Sequence, residues 1–395
     1  MLLTTPLGAL VQKNLCEFSM YQGFFRGTMK TKEIKKQLLK KTPIVPLTAN
    51  DYVSTGSTLL NLAISGNPYW GFAKGHYYYF VGDTQSGKTW LSLTCLAEAS
   101  INKNFDDYRF IFDNGEEGAL MNIERFFGKR TAKRIEAPRV VKKKPVASYT
   151  LEDFYFNVDD ALLQEKPFIY ILDSMDSLTS QQELQKFDER KKAARKNKKI
   201  SGTMVDGKAK INSQDLRKLL TPLKKNKSIL IVINQTRDNL KMGYGQPTKT
   251  RSGGHAPSFY ACLEFSSSVK GKIVKTIKVG DSKKTKKRML GNYCKVRVKK
   301  NRMTGKDRTI TIPIYDSVGI DDIGSCIDFL MEELHWDVKR GRINASEFKK
   351  SMLKEKLVSY IEKHEMEKDL IEIVANIWEK VEEQCTIERK FKYGD

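Results

Sequence analysis

The chain has 395 residues, long enough for one large α/β core with smaller appendages. Its 70 Lys and Arg against 47 Asp and Glu leave a formal charge of +23, which predicts a polyanionic partner such as nucleic acid. With a mean hydropathy of −0.49 and no apolar run near the ~20 residues of a membrane span, no membrane association is expected.

The first 28 residues lack the charged start, continuous apolar centre and small-residue cleavage site of a secretory signal, so no export is predicted. A helical pattern, KTKEIKKQLLKK, follows Met29. Three regions are expected: an N-terminal arm over 1–44, suited to oligomerisation, a core over 45–325, and a helical C-terminal region over 326–395. The cysteines at 16, 95, 262, 294, 326 and 385 form no Cys-x-x-Cys pair, which argues against a zinc site or disulfide framework and for a reducing cytoplasm. His76, His255, His335 and His364 show no ligand spacing, and no structural metal is expected.

Four apolar runs rich in aromatic and β-branched residues read as buried strands: YYYFV (77–81), YRFIF (108–112), FIYIL (168–172) and SILIVI (228–233). Each gives way at once to polar sequence, in turn Gly82 to Thr89, Asp113 to Glu117, Asp173 with Ser174, and Asn234 with Gln235. Open parallel sheets bind ligands at the carboxyl ends of their strands, so four such ends describe one composite site. The expected fold class is α/β, a largely parallel central sheet flanked by helices. Further on, a basic run (282–302) reads as an exposed loop leading into an alternating strand at 293–300. From about residue 340 helix is expected: Asn344 and Glu347 have capping spacing, and Phe348, Met352, Leu353, Leu357 and Ile361 recur at helical intervals.

The most specific motif is Gly82-Asp83-Thr84-Gln85-Ser86-Gly87-Lys88-Thr89, a phosphate-binding loop between a strand and a helix that opens with Trp90. Its glycines let backbone N–H groups face phosphates, Lys88 reaches the terminal phosphates, and Thr89 suits a magnesium ligand. Asp173, ending the third strand, is the second candidate metal ligand. Hydrolysis needs a carboxylate to orient or deprotonate water, and Asp113, Glu116 and Glu117 are the candidates. Asn234 and Gln235 are placed to sense a γ-phosphate and pass its presence into the Gly-rich loop beyond. That loop carries Gly243, Gly245, Gly253 and Gly254 with Arg237, Lys241, Lys249 and Arg251, a composition suited to ordering on single-stranded DNA. RKKAARKNKK (190–199), with Arg190 and Lys191, reads either as a solvated helix face or as a set of backbone-phosphate contacts.

Over roughly residues 54–322 these motifs resemble the RecA recombinase family, including its phage members. The resemblance rests on STGSTLLNLAISG, GDTQSGKT, ILDS, LIVINQTR and SGGHAPSFYA. It implies ATP and Mg2+ as ligands and Glu116 as the catalytic carboxylate, with Glu117 the neighbouring alternative. It also implies that Gln235 couples ATP to the DNA loop, that Arg237, Gly253, Gly254 and the adjoining His255 lie at the DNA, and that Phe259 lies at a subunit interface. KVRVKKNR resembles the strand that would deliver Lys300 and Arg302 to a neighbour's ATP. The chain departs from the family in a longer, more basic first loop, and the family's adenine-contacting residues are not recognisable in GALMNIERFFG (118–128). The resulting expectation is a cytoplasmic, DNA-dependent ATPase that self-associates into filaments on single-stranded DNA and pairs it with homologous duplex. A ring helicase on the same core and an ATP-binding filament protein without hydrolysis are the alternatives.

Overall fold

A computed structural model describes residues 46–196, 207–239, 248–251, 253–280, 284–389 and 392. Within it, Thr48–Asp395 form one compact unit. Ten strands build the main sheet: β1 (Tyr77–Gly82), β2 (Arg109–Asp113), β3 (Ile135–Glu136), β4 (Phe168–Leu172), β5 (Ile229–Asn239), β6 (Thr248–Arg251), β7 (Leu263–Lys278), β8 (Thr285–Asn301), β9 (Arg308–Tyr315) and β10 (Gly319–Ile320). Their order is β10-β9-β8-β7-β1-β5-β4-β2-β3, with β6 paired to β5. The six strands from β7 to β3 run parallel, whereas β8, β9 and β10 add antiparallel. The expected α/β class and largely parallel sheet are therefore present.

The helices of two turns or more are α1 (Thr58–Ser65), α2 (Lys88–Ile101), α3 (Leu151–Leu163), α4 (Gln181–Arg195), α5 (Gly207–Lys225), α6 (Asp322–Glu332), α7 (Lys354–Lys363) and α8 (Glu367–Gln384). Strand side chains alternate between two cores, as the period of two requires. Tyr78, Phe80, Ile169, Ile171, Ile231 and Phe265 pack with α1, α2, α6 and the C-terminal helices. Tyr77, Tyr79, Tyr170, Leu172, Leu230 and Val232 pack with α3 and α5. Both faces being covered explains why these strands read as continuous apolar runs. α1 is tied to α6 by Thr58, whose N–H and hydroxyl both donate to Asp322, each at 2.7 Å.

Two expectations need correction. The basic run is strand from Thr285 onward, because β7 and β8 pair, through three register shifts, out to Lys278 and Thr285. β1 accompanies β7 only to Ser267, and β9 accompanies β8 only from Gly291, so the remainder is a two-stranded ribbon outrunning the sheet. Lys275 sits directly opposite Arg288 on it.

The C-terminal region is not all helix. Asp337–Lys339, Arg342–Ala345 and Lys350–Met352 form a three-stranded antiparallel sheet. Arg340 and Gly341 turn it with φ of 53° and 75°. Ile343 and Ala345 are buried in the alternation of a strand, and it is Phe348 in the following turn and Met352 in the third strand, four residues apart, that mimic helical spacing. Glu347 does not cap a helix: it accepts from the Trp336 indole and the Ser346 hydroxyl, both at 2.7 Å, and pairs with His335. Burial pushes its carboxyl up, but these bonds outweigh burial and hold it down at about 2. Helix resumes at Lys354, where Leu357 and Ile361 are buried as expected. The proposed boundary at 44/45 lies outside the described residues.

Candidate nucleotide site

β1, β5, β4 and β2 are adjacent, and their registers bring four chain segments to one edge: Gly82 opposite Gln235, Leu172 opposite Val232, and Asp113 opposite Leu172. Beyond this edge lies a cavity of about 460 Å³ lined by residues 85–90, Glu116, Met121, Asp173, Met289, Asn292 and Asp316, among others.

The phosphate loop curls because its glycines have no room for a side chain. A Cβ at Gly82 would lie 2.1 Å from the Ser267 hydroxyl, and one at Gly87, whose φ is +85°, would lie 2.4 Å from Ile314. The buried Lys88 ammonium donates to the carbonyls of Gly82 at 2.9 Å and Asp83 at 2.6 Å, and burial lowers its pKa. Thr89 donates to Asp173 Oδ2 at 2.6 Å. Burial, reinforced by the negative charge of Glu116, holds the Asp173 carboxyl above its ordinary range, against a hydrogen bond from Thr89 and the charge of Lys88. A hydroxyl and a carboxylate with an opposing like charge nearby form an oxygen donor set that fits Mg2+, and the amides at the start of α2 fit phosphate. Trp90 packs edge-on to Phe126 with ring centroids 5.0 Å apart.

The three candidate carboxylates separate by environment. Asp113 is fully buried, accepting the Ser148 N–H at 2.8 Å, the Ser148 hydroxyl at 2.5 Å and the Tyr170 hydroxyl at 2.6 Å; it pins β2 to the start of α3. Glu117 is exposed at φ 51° in the turn and does not line the cavity. Glu116 lines it, and its Oε1 accepts Gln235 Nε2 at 2.7 Å and the Ser174 hydroxyl.

The two candidate sensors separate likewise. Asn234 is buried and donates to the Tyr79 hydroxyl at 2.5 Å, which corrects its expected role. The Gln235 side chain reaches Glu116 while its backbone N–H donates to Asp176 Oδ2 at 2.5 Å. Sequence reading missed Asp176, and missed Thr236, whose hydroxyl donates to Asp83 Oδ1 at 2.5 Å. The alternation of residues 234–236 along β5 was the available signal.

Among the candidate DNA residues, Arg237 and Arg251 lie on the paired strands β5 and β6. Lys241 lies outside the described residues. Gly253 and Gly254, with φ of 81° and 77°, press on α5: Asn212 Nδ2 donates to the Gly253 carbonyl at 3.0 Å, and a Cβ at Gly254 would lie 2.9 Å from that of Ala209. His255 is exposed at the start of the short helix Ala256–Tyr260. Arg190 and Lys191 are exposed on α4, a helix none of whose residues is buried. Lys300 donates to the Ser258 and Phe259 carbonyls at 2.9 and 2.7 Å, and Arg302 to the Phe259 carbonyl at 2.9 Å. Within one chain these cations therefore cap that short helix and do not line the cavity.

A parallel sheet with a phosphate loop between β1 and α2 defines a P-loop nucleotide-binding fold. The sequence of the RecA N-terminal domain matches residues 168–321. The protein RecA of Chlorobaculum tepidum is 28% identical over 282 residues, 71% of this chain and 70% of its own length. RecA of Chloroherpeton thalassium is 26% identical over 324 residues, covering 82% and 77%, and RecA of a Caulobacter species 28% over 285 residues, covering 70% and 67%. The chain is thus similar to RecA proteins over 70–82% of its length. No helix among the described residues is long and apolar enough to cross a membrane, and the five described cysteines are free thiols.

Proposed function

We propose that this chain is a DNA-dependent ATPase and recombinase that assembles on single-stranded DNA with ATP and pairs that strand with homologous duplex. The carrying observation is the Gln235–Glu116 hydrogen bond, which joins the cavity carboxylate to the strand leading into the ribbon that bears Arg237 and Arg251. Lys88 and the loop amides would hold the triphosphate, and Thr89 with Asp173 would hold Mg2+. Bound there, the metal supplies positive charge that offsets the phosphates. Glu116 accepts the proton of, or orients, the attacking water, and Gln235 keeps its carboxylate aimed. Lys300 and Arg302 would serve a neighbouring protomer, stabilising negative charge that develops in the transition state. The five described cysteines, all free thiols, suit a reducing cytoplasm.

Phosphate release from ATP, measured with and without single-stranded DNA and alongside electron microscopy with a non-hydrolysable analogue, tests this reading. Turnover stimulated by DNA together with helical filaments is expected; closed rings would instead indicate a translocating motor, and filaments without turnover a protective scaffold. Lys88→Ala should abolish hydrolysis while circular dichroism stays unchanged, and normal turnover in that variant would refute the assigned site.

A further inference from the structure

The phosphate loop carries an acidic residue, Asp83, where a polyanion is to be bound, and like charge there opposes binding. Its backbone is fixed on three sides. The Asp83 N–H donates to the Ser267 carbonyl at 3.1 Å, and its own carbonyl accepts from the Ser86 hydroxyl and from Lys88 Nζ, both at 2.6 Å. Its carboxylate accepts the Thr236 hydroxyl. Thr236 directly follows Gln235 on β5, and its register partner on β6 is Arg251. The phosphate loop thus touches the base of the β5–β6 ribbon at a point distinct from the Gln235–Glu116 contact.

We infer that Asp83 and Thr236 are a positioning pair that ties the nucleotide state of the phosphate loop to the ribbon presenting the DNA-binding loop. When the Lys88 ammonium turns from the Asp83 carbonyl toward a polyphosphate, residue 83 loses a donor. At the same time the incoming negative charge repels its carboxylate, which Thr236 already holds, so the strain of that displacement falls on the Thr236 bond. Tension at Thr236 is then transmitted to its partner Arg251 through the ladder. By reciprocity, fixing the ribbon favours the loop conformation that holds nucleotide. This inference rests on the reading of the cavity as a nucleotide site.

The test needs neither DNA nor hydrolysis. Residues 237–251 contain four tryptic sites, Arg237, Lys241, Lys249 and Arg251. Cleavage there is followed by mass spectrometry with and without a non-hydrolysable ATP analogue, in wild type, Thr236→Val and Thr236→Ser, with thermal melts as the folding control. In wild type and Thr236→Ser the analogue should change the cleavage rate about ten-fold, and in Thr236→Val the change should fall below about two-fold, as loss of a coupling of ordinary size requires. In addition, Asp83→Asn and Thr236→Val should have non-additive effects on analogue affinity. A wild-type response in Thr236→Val overturns the inference while leaving the nucleotide site intact, and so does a Thr236→Ser variant as uncoupled as the valine. A wild-type protein that fails to bind the analogue overturns the site reading and the inference with it.

Discussion

Glu116 differs from Asp113 and Glu117 in what surrounds its carboxylate, not in its place in the chain. All three sit at or just beyond the end of the same strand, and the sequence offers them as a group; the choice depends on Ser148 and Tyr170 closing over Asp113 from distant segments, and no local pattern shows that. Glu116→Gln should lower kcat by about 10²–10⁴-fold with nucleotide affinity nearly unchanged. An unaltered kcat would reduce Glu116 to a turn residue. A residue with no role in the site makes a second prediction. Asp322 opens α6 and faces the start of α1, and burial raises its carboxyl to about 6, against the hydrogen bonds from Thr58. Because the folded state binds this proton more tightly than the unfolded chain, its stabilising contribution is present below about pH 4 and is lost as pH rises through 6. Asp322→Asn should therefore raise stability at pH 7.5 by about 3 kcal/mol, and the gain should vanish near pH 4. Melting curves across this range check it, and a gain independent of pH would show that the cause lies elsewhere.

At the scale of elements, the phosphate loop and the four central strands were legible because their signals are local: glycines that tolerate no Cβ, and apolar runs covered on both faces. The C-terminal hairpin was not, since alternating burial at Ile343 and Ala345 runs into helical spacing at Leu357 and Ile361 without a break in hydrophobicity. α4 illustrates a third case, in which the helix is plain and its purpose is not. Its capping box, Ser180 with Glu183, fixes its start, yet none of its residues is buried. Such a helix gains nothing from a core and is free to meet a polyanion. Deleting 190–199 should weaken binding to single-stranded DNA, and if four phosphate contacts go with it, the slope of log K against log salt should flatten by about 3. An unchanged slope would leave the run as a solvated face.

For the whole molecule, the question is which copy supplies Lys300 and Arg302. Both cap carbonyls of their own chain, next to the exposed Phe259, so a role at a neighbour's nucleotide requires them to release Ser258 and Phe259. If the site is shared, Lys88→Ala and a Lys300→Ala/Arg302→Ala double variant, each inactive alone, should recover about a quarter of wild-type turnover when mixed in equal amounts. That is the fraction of head-to-tail interfaces pairing an intact loop with intact cations. No recovery would confine these residues to one chain. The sequence supplied the two cations through family resemblance, but not their resting contacts, which join segments some forty residues apart. The β7–β8 ribbon has a practical consequence at this scale. Setting Lys275 against Arg288 works against the ladder that holds them. The ribbon is therefore more stable with anions condensed on it than without, and a preparation stripped of nucleic acid should be less durable on storage than one kept in phosphate or sulfate buffer.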